Sequence, residues 1–298
     1  MTPREQSILD TAGLAGREAY VLDAAGGGRA LLVDVSPDEM LDAWAAARAA
    51  VARTGRWPVL CPRHAARDGS LFSRFYFDEG SNGADSSPAG VLARAETIDV
   101  DARLAERHAH YPDGLVARVD ETIELEREAT RARYGDAPAA QEIRAAVTGA
   151  DPVEIAVNRH LFGWEGGREP LVGPDTGVQD WFGSTEERAT LVLLPVAQPW
   201  AVYAYVDALH DACGYGHDLL VAAARRWYER YGAEPVAAWE VTTWLTVARP
   251  PTDPDEAWRL AFEHYTLAEN TLATPAVTLR EHAHLLPHLD RWVLFSRP

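Results

Sequence analysis

The chain has 298 residues, 47% of them hydrophobic and 24% charged, the balance of an ordinary folded protein of one large or two modest domains. Its 45 acids against 28 cations give a formal charge of −17, which argues against general binding to nucleic acid and suits either solubility or capture of a basic protein partner. No apolar run is long enough to span a membrane, and all 28 cations are arginine, so Schiff-base lysines, P-loops and kinase-type phosphate clamps are excluded in their usual forms.

The opening MTPREQSILD has no apolar core and is not expected to act as a signal peptide. REAYVLD (17–23) and RALLVDV (29–35) read as strands, and the three glycines Gly26, Gly27 and Gly28 between them read as a hairpin turn. Ser36-Pro37 is expected to cap a helix with Met40, Leu41, Trp44, Ala47 and Val51 on one face, closed by Gly55. Trp57 to Cys61 follows as a strand. LFSRFYF (71–77) reads either as another strand or as a packing loop, and 78–90 as a polar loop from which Ser87-Pro88 starts a helix. Val119 to Tyr134 is a charged helix with acids early and arginines late, and a second helix covers about 139–147. Residues 162–184 read as a glycine-rich loop strung with Phe162, Trp164, Trp181 and Phe182, serving as a connector or a binding loop.

The last third begins with a buried strand, Ala189 to Val196, then a short helical stretch near 201–210 and a helix from Asp218 to Tyr231. Its end reads RWYERYGAE (226–234): Trp227 and Tyr231 share the apolar face, the arginines suit the dipole of the last turns, and Gly232 stands where a left-handed residue closes a helix. Strands at 234–239 and 243–249 follow. Asp253-Pro254 then opens a helix with Ala257, Leu260, Ala261 and Tyr265 on one face, and Thr278-Leu279-Arg280-Glu281 is a capping box before a shorter helix. Trp292 to Phe295 is the final strand. The expected fold class is α+β, with a C-terminal split βαβ, or ferredoxin-like, antiparallel sheet whose helices lie on one face, after an N-terminal strand–helix–strand region. The expected division is an N-terminal region 1–115, a helical and aromatic-loop connector 116–185, and a C-terminal domain 186–298.

The familiar catalytic and metal-binding motifs are missing from the sequence. There is no Gly-x-Ser-x-Gly, His-Glu-x-x-His or Cys-x-x-Cys. The two cysteines, Cys61 and Cys213, are too few for a disulfide framework and fit a reducing cytoplasm. Cys61 near His64 could make a nucleophile and base, but a buried strand cysteine is the simpler reading. His282 and His284 point to different sides of a helix, Pro287 separates His284 from His288, and His108 and His110 would share a face only on a strand, so no metal and no cofactor is expected. The binding candidates are Trp164, Trp181 and Phe182 in the aromatic loop, with Glu263 and His264 on the penultimate helix.

Several stretches, taken in order, resemble one bacterial family, catalogued as domain of unknown function 4253. They are LVLLPV, AVYAYVDAL, RRWYERYGAEPV, ARPPTDPDEAWRLAFEH, TLREHAHLL and RWVLFSRP, and the upstream AWAAARAAVARTGRWPVL and SPAGVLARAETIDV are similar to its actinobacterial members. The resemblance implies a bacterial cytoplasmic protein and carries over no catalytic residue or cofactor. Phe295-Ser296-Arg297 stand where members tend to close on more tryptophan and an acid. The expected function is an acidic protein-binding module of immunity-like or regulatory type rather than an enzyme; the alternatives are an enzyme on a small polar substrate using arginine, glutamate and histidine, and a scaffold subunit.

Overall fold

A computed structural model describes residues 1–72, 85–109, 119–147, 152–171, 173, 189–209, 217–239, 241–273 and 277–296, without the side chains of 107–109. The first elements are α1 (Pro3–Thr11), β1 (Ala19–Asp23), β2 (Arg29–Val35), α2 (Met40–Ala49), α3 (Val51–Thr54), β3 (Trp57–Pro62) and α4 (Arg63–Asp68). Then come α5 (Pro88–Ala95), α6 (Val100–Ala109), α7 (Val119–Tyr134), α8 (Ala140–Ala146), α9 (Val153–Glu165) and β4 (Ala189–Leu194). The last are α10 (His217–Tyr231), β5 (Glu234–Trp239), β6 (Thr242–Thr246), α11 (Pro254–Leu267), α12 (Asn270–Ala273), α13 (Leu279–Leu285) and β7 (Arg291–Phe295). The fold is mixed α and β, as expected. It divides into two compact units interleaved along the chain: Met1–Arg103 with Gln179–Arg249 and Asp290–Pro298, and Leu104–Val178 with Pro250–Leu289.

The first unit is built on one seven-stranded sheet in the order β1-β2-β4-β3-β5-β6-β7. β1 and β2 form the expected hairpin, its turn carried by Ala25, Gly26 and Gly28 at positive φ and closed by the Ala24 N–H donating to the Gly28 carbonyl at 2.7 Å. Neighbouring strands are antiparallel except β3 and β5, which run parallel with Leu60 opposite Ala237. Every residue of β3 and β4 is buried, so both faces of the sheet centre are covered.

The ferredoxin-like arrangement does not form. The four strands β4, β5, β6 and β7 do not make a sheet of their own: β3 stands between β4 and β5, and β7 lies at the edge, paired with β6. WPVLCP is apolar on both faces, which suits the centre of a sheet covered on both sides, and there it stands between β4 and β5. The helices α11 and α13, expected on that sheet, belong to the second unit.

Local signals explain most boundaries. α1 lies outside the expected elements and starts at a capping box: the Glu5 N–H donates to Thr2 Oγ1, and Glu5 Oε2 accepts from the Thr2 N–H. Ser36 does not cap α2. Its hydroxyl donates to Glu39 Oε2 at 2.7 Å, the helix begins at Met40, and Leu41 is exposed while Ala43 takes its place on the buried face. Ser87 does cap α5, accepting from the Gly90 N–H. Residues 70–72 form a 3-10 turn, and most of the run 71–77 lies outside the described residues.

The RWYERYGAE stretch is a helix end. Trp227 is fully buried and meets Trp292 edge-on, Tyr231 does the same, and Arg225 and Glu229 pair on the exposed side. Gly232 has φ +62, the left-handed conformation that lets the chain leave the helix for β5.

In the second unit Ile123 of α7, Ile143 of α8, and Val157 and Leu161 of α9 form a buried apolar cluster. α9 corrects the expectation of a loop from 162. VEIAVNRHLFGWE places Ile155, Asn158, Leu161, Phe162 and Glu165 at helical spacing, so Phe162 and Trp164 lie on a helix that ends only at Gly166-Gly167.

Candidate functional site

Two turns of helix bring the chemistry together. The capping box of Thr278 and Glu281 fixes the start of α13, and Arg280 and His284, four residues apart, then lie on one face of it. Arg280 is 1% exposed and spends every nitrogen inside the second unit. Nε donates to Glu165 Oε1 at 2.9 Å, Nη1 to Asn158 Oδ1 at 3.0 Å and to Glu126 Oε2, and Nη2 to Thr130 Oγ1 at 3.3 Å. A buried guanidinium with two buried carboxylates is tolerable only because the hydrogen bonds are this complete.

Glu165 is thereby held as a carboxylate. Burial pushes its pKa up, but the hydrogen bond with His284 and the charge of Arg280 outweigh that and bring it below the ordinary value. Its second oxygen lies 3.0 Å from His284 Nε2. An ionised carboxylate can only accept, so neutral His284 carries its proton on Nε2 and leaves the Nδ1 lone pair open. Nδ1 has no hydrogen-bond partner among the described residues. The imidazole ring rests on Phe162 with centroids 4.5 Å apart.

His284 faces a cleft of about 570 Å³ that Arg133, Tyr134, Arg159, Phe162 and Arg168 also line. That volume suits a small organic molecule. His288 lies on the same wall, and two carboxylates, Glu165 and Asp255, complete the charged lining. Asp255 is bound to Arg159 at 2.5 Å, and Arg133 donates to Glu281 at 3.0 Å.

Of the residues singled out in the sequence, Trp164 stands beside this cleft. Its ring carries the Arg168 guanidinium at 3.9 Å and takes Tyr134 edge-on at 6.3 Å. Trp181 and Phe182 lie outside the described residues. Glu263 and His264 are buried on α11 and do not line the cleft. His264 Nδ1 is 3.1 Å from His282 Nε2, and burial holds both imidazoles neutral: the pKa of His282 falls to about 4, and His264 is pushed well down by burial and then by His282. Cys61 is buried in β3, where burial raises its thiol, while His64 is exposed. Among the described residues no three His, Cys, Asp or Glu side chains gather as a metal would need.

Sequence reasoning missed the Glu165–His284 pair and its support. The partners are separated by 119 positions and share no motif. Arg280 sits inside a capping box and looks like a surface residue. The available signal was the helical spacing of 153–165, which puts Glu165 in line with Leu161 and Phe162 on a buried face.

Comparison with curated proteins and with solved structures returns no match. A family model matches the stretch that runs from within β4 to the end of β7, which contains Arg280 and His284 but not Glu165, Arg133 or Trp164. On that match, residues 190–295 of the chain belong to the family described as Domain of unknown function (DUF4253).

Proposed function

We propose that the protein is an enzyme that performs acid–base chemistry on a small polar molecule held in the cleft, with His284 as the proton carrier. The observation behind this reading is the hydrogen bond from His284 Nε2 to the buried, ionised Glu165 at 3.0 Å, made where the imidazole lines the cleft. Glu165 fixes the tautomer and ring orientation and stabilises the imidazolium formed when Nδ1 takes a proton from a substrate or a water. Arg280 acts at one remove: it holds Glu165 in place and charged, and so is a positioning residue. None of these steps needs a lysine, which the chain lacks. A panel of small esters, amides and phosphoesters offered to the purified protein tests the reading. Turnover of at least one should fall by about 10²-fold or more in His284→Gln, with the thermal midpoint little changed because glutamine keeps an N–H to donate to Glu165. No turnover across the panel, or turnover indifferent to His284→Gln, overturns it.

The formal charge of −17 supports a second reading, capture of a basic protein by the acidic surface. Binding of such a partner should weaken as salt rises toward 0.1 M, where screening acts over about 10 Å. A captured partner that is itself acidic, bound with no salt dependence, counts against it.

A further inference from the structure

We propose that the molecule taken by this cleft is an organic oxyanion, a carboxylate or phosphate monoester, gripped by Arg133 and Arg168. The inference rests on the cleft being the site of action and names the class of substrate.

The walls of the cleft have spare bonding capacity of one kind. Three arginines and two carboxylates line the cleft, and the carboxylates are occupied: Asp255 by Arg159, and Glu165 by Arg280 and His284. Two of the three cations keep donors unspent. Arg168 is exposed and makes no ion pair with a described residue, its guanidinium carbon 3.9 Å from the centre of the Trp164 ring. Arg133 gives Nη1 to Glu281, yet its Nε is buried without a hydrogen-bond partner. A buried N–H left unpaired is unfavourable, so Arg133 gains from a small shift of its side chain that brings Nε to an oxygen acceptor in the cleft. What the walls can still offer is therefore N–H donors, and a guanidinium fork fits the two oxygens of a carboxylate or phosphate.

The two cations are also held in place. Arg133 lies over Tyr134 at 5.9 Å, Tyr134 meets Trp164 edge-on, and Arg168 covers Trp164, so cation and ring alternate along one wall. Contact with the rings restricts where the two guanidinium groups can go before a ligand arrives. A bare phosphate would leave most of about 570 Å³ unfilled. The anion is for that reason one end of a larger molecule, whose other end reaches His284. The surrounding charge of −17 repels anions at long range, so recognition comes from contact inside the cleft.

Isothermal titration with phenyl phosphate and with benzoate, inorganic phosphate serving as the control, tests the assignment and separates its two sources. At least one of the organic probes should bind saturably below about 1 mM and more tightly than inorganic phosphate. Arg168→Ala, an exposed change, should weaken it by at least about tenfold, and Arg133→Gln likewise, while Arg225→Ala on α10 changes nothing. His284→Gln should retain binding, since the ring is not the anion's anchor. Loss of turnover in His284→Gln with binding kept supports both readings. Failure of both organic probes to bind, or affinity unchanged in Arg168→Ala and Arg133→Gln, overturns the oxyanion assignment and leaves the acid–base reading standing on its own test.

Discussion

Two helices of the first unit end on glycines with nearly the same backbone and very different surroundings, and comparing them separates two costs. Gly55 closes α3 at φ +67 and Gly232 closes α10 at φ +62. A Cβ added at Gly55 would meet nothing within 4 Å. One added at Gly232 would lie 2.9 Å from the Ala248 Cβ and 3.2 Å from an Arg249 nitrogen. The arginine end can swing aside, but a Cβ fixed to the backbone cannot. Gly55→Ala should thus lose only the left-handed penalty, about 1 kcal/mol. Gly232→Ala should lose that and an overpacking cost of about 1–3 kcal/mol, for a total of about 2–4 kcal/mol. With a urea m-value of about 3 kcal/mol/M, its unfolding midpoint would fall by roughly 1 M, and that of Gly55→Ala by about a third as much. Urea titrations followed by tryptophan fluorescence and by circular dichroism measure both. Equal losses in the two variants would refute the reasoning, because the contact between Gly232 and Ala248 would then cost nothing.

Two further predictions concern the second unit. Arg280→Met should destabilise it by about 3–5 kcal/mol, because Glu126 and Glu165 are left buried without their cation; adding Glu126→Gln and Glu165→Gln should recover more than half of that in the same denaturation assay, and failure to recover any would show that the loss is not electrostatic. His282 is neutral down to about pH 4 when folded and takes up a proton near 6.5 when unfolded, so its contribution is complete above pH 6.5 and falls as pH drops toward 4, by about 3 kcal/mol over the full range. Urea midpoints at pH 7 and pH 4.5 should differ by less in His282→Phe, a variant that cannot take up the proton.

What could be read from the residues was local. The hairpin at Gly26 to Gly28, the cap at Ser87, the box at Thr278 and the exit at Gly232 are short-range events, and each stands as expected. α1 and α9 are legible by the same rules, through Thr2-Glu5 and the spacing from Ile155 to Glu165. Ser36 misled because a serine before a proline has the composition of a cap, while its hydroxyl goes to the Glu39 side chain. The order of strands was not legible: β-strand–helix alternation is consistent with several pairings, and which strand separates β4 from β5 depends on contacts distant in sequence. The same limit hid the site. Arg133, Glu165 and His284 converge only in space, and the aromatic residue picked from composition, Trp164, was found through its ring rather than through any motif.

The position of β3 sets a timetable for the chain. During synthesis it emerges early, with α2 and the hairpin behind it, yet the strands that flank it begin at residues 189 and 234. At about 5–20 residues per second, a strand apolar on both faces waits on the order of ten seconds for its first neighbour and longer for its second. In that interval its two open edges are templates for any other nascent chain. The centre of the finished sheet is thus the part of the molecule that spends longest exposed while it is being made. The tight turn from Gly232 into β5 brings the strand that ends that exposure.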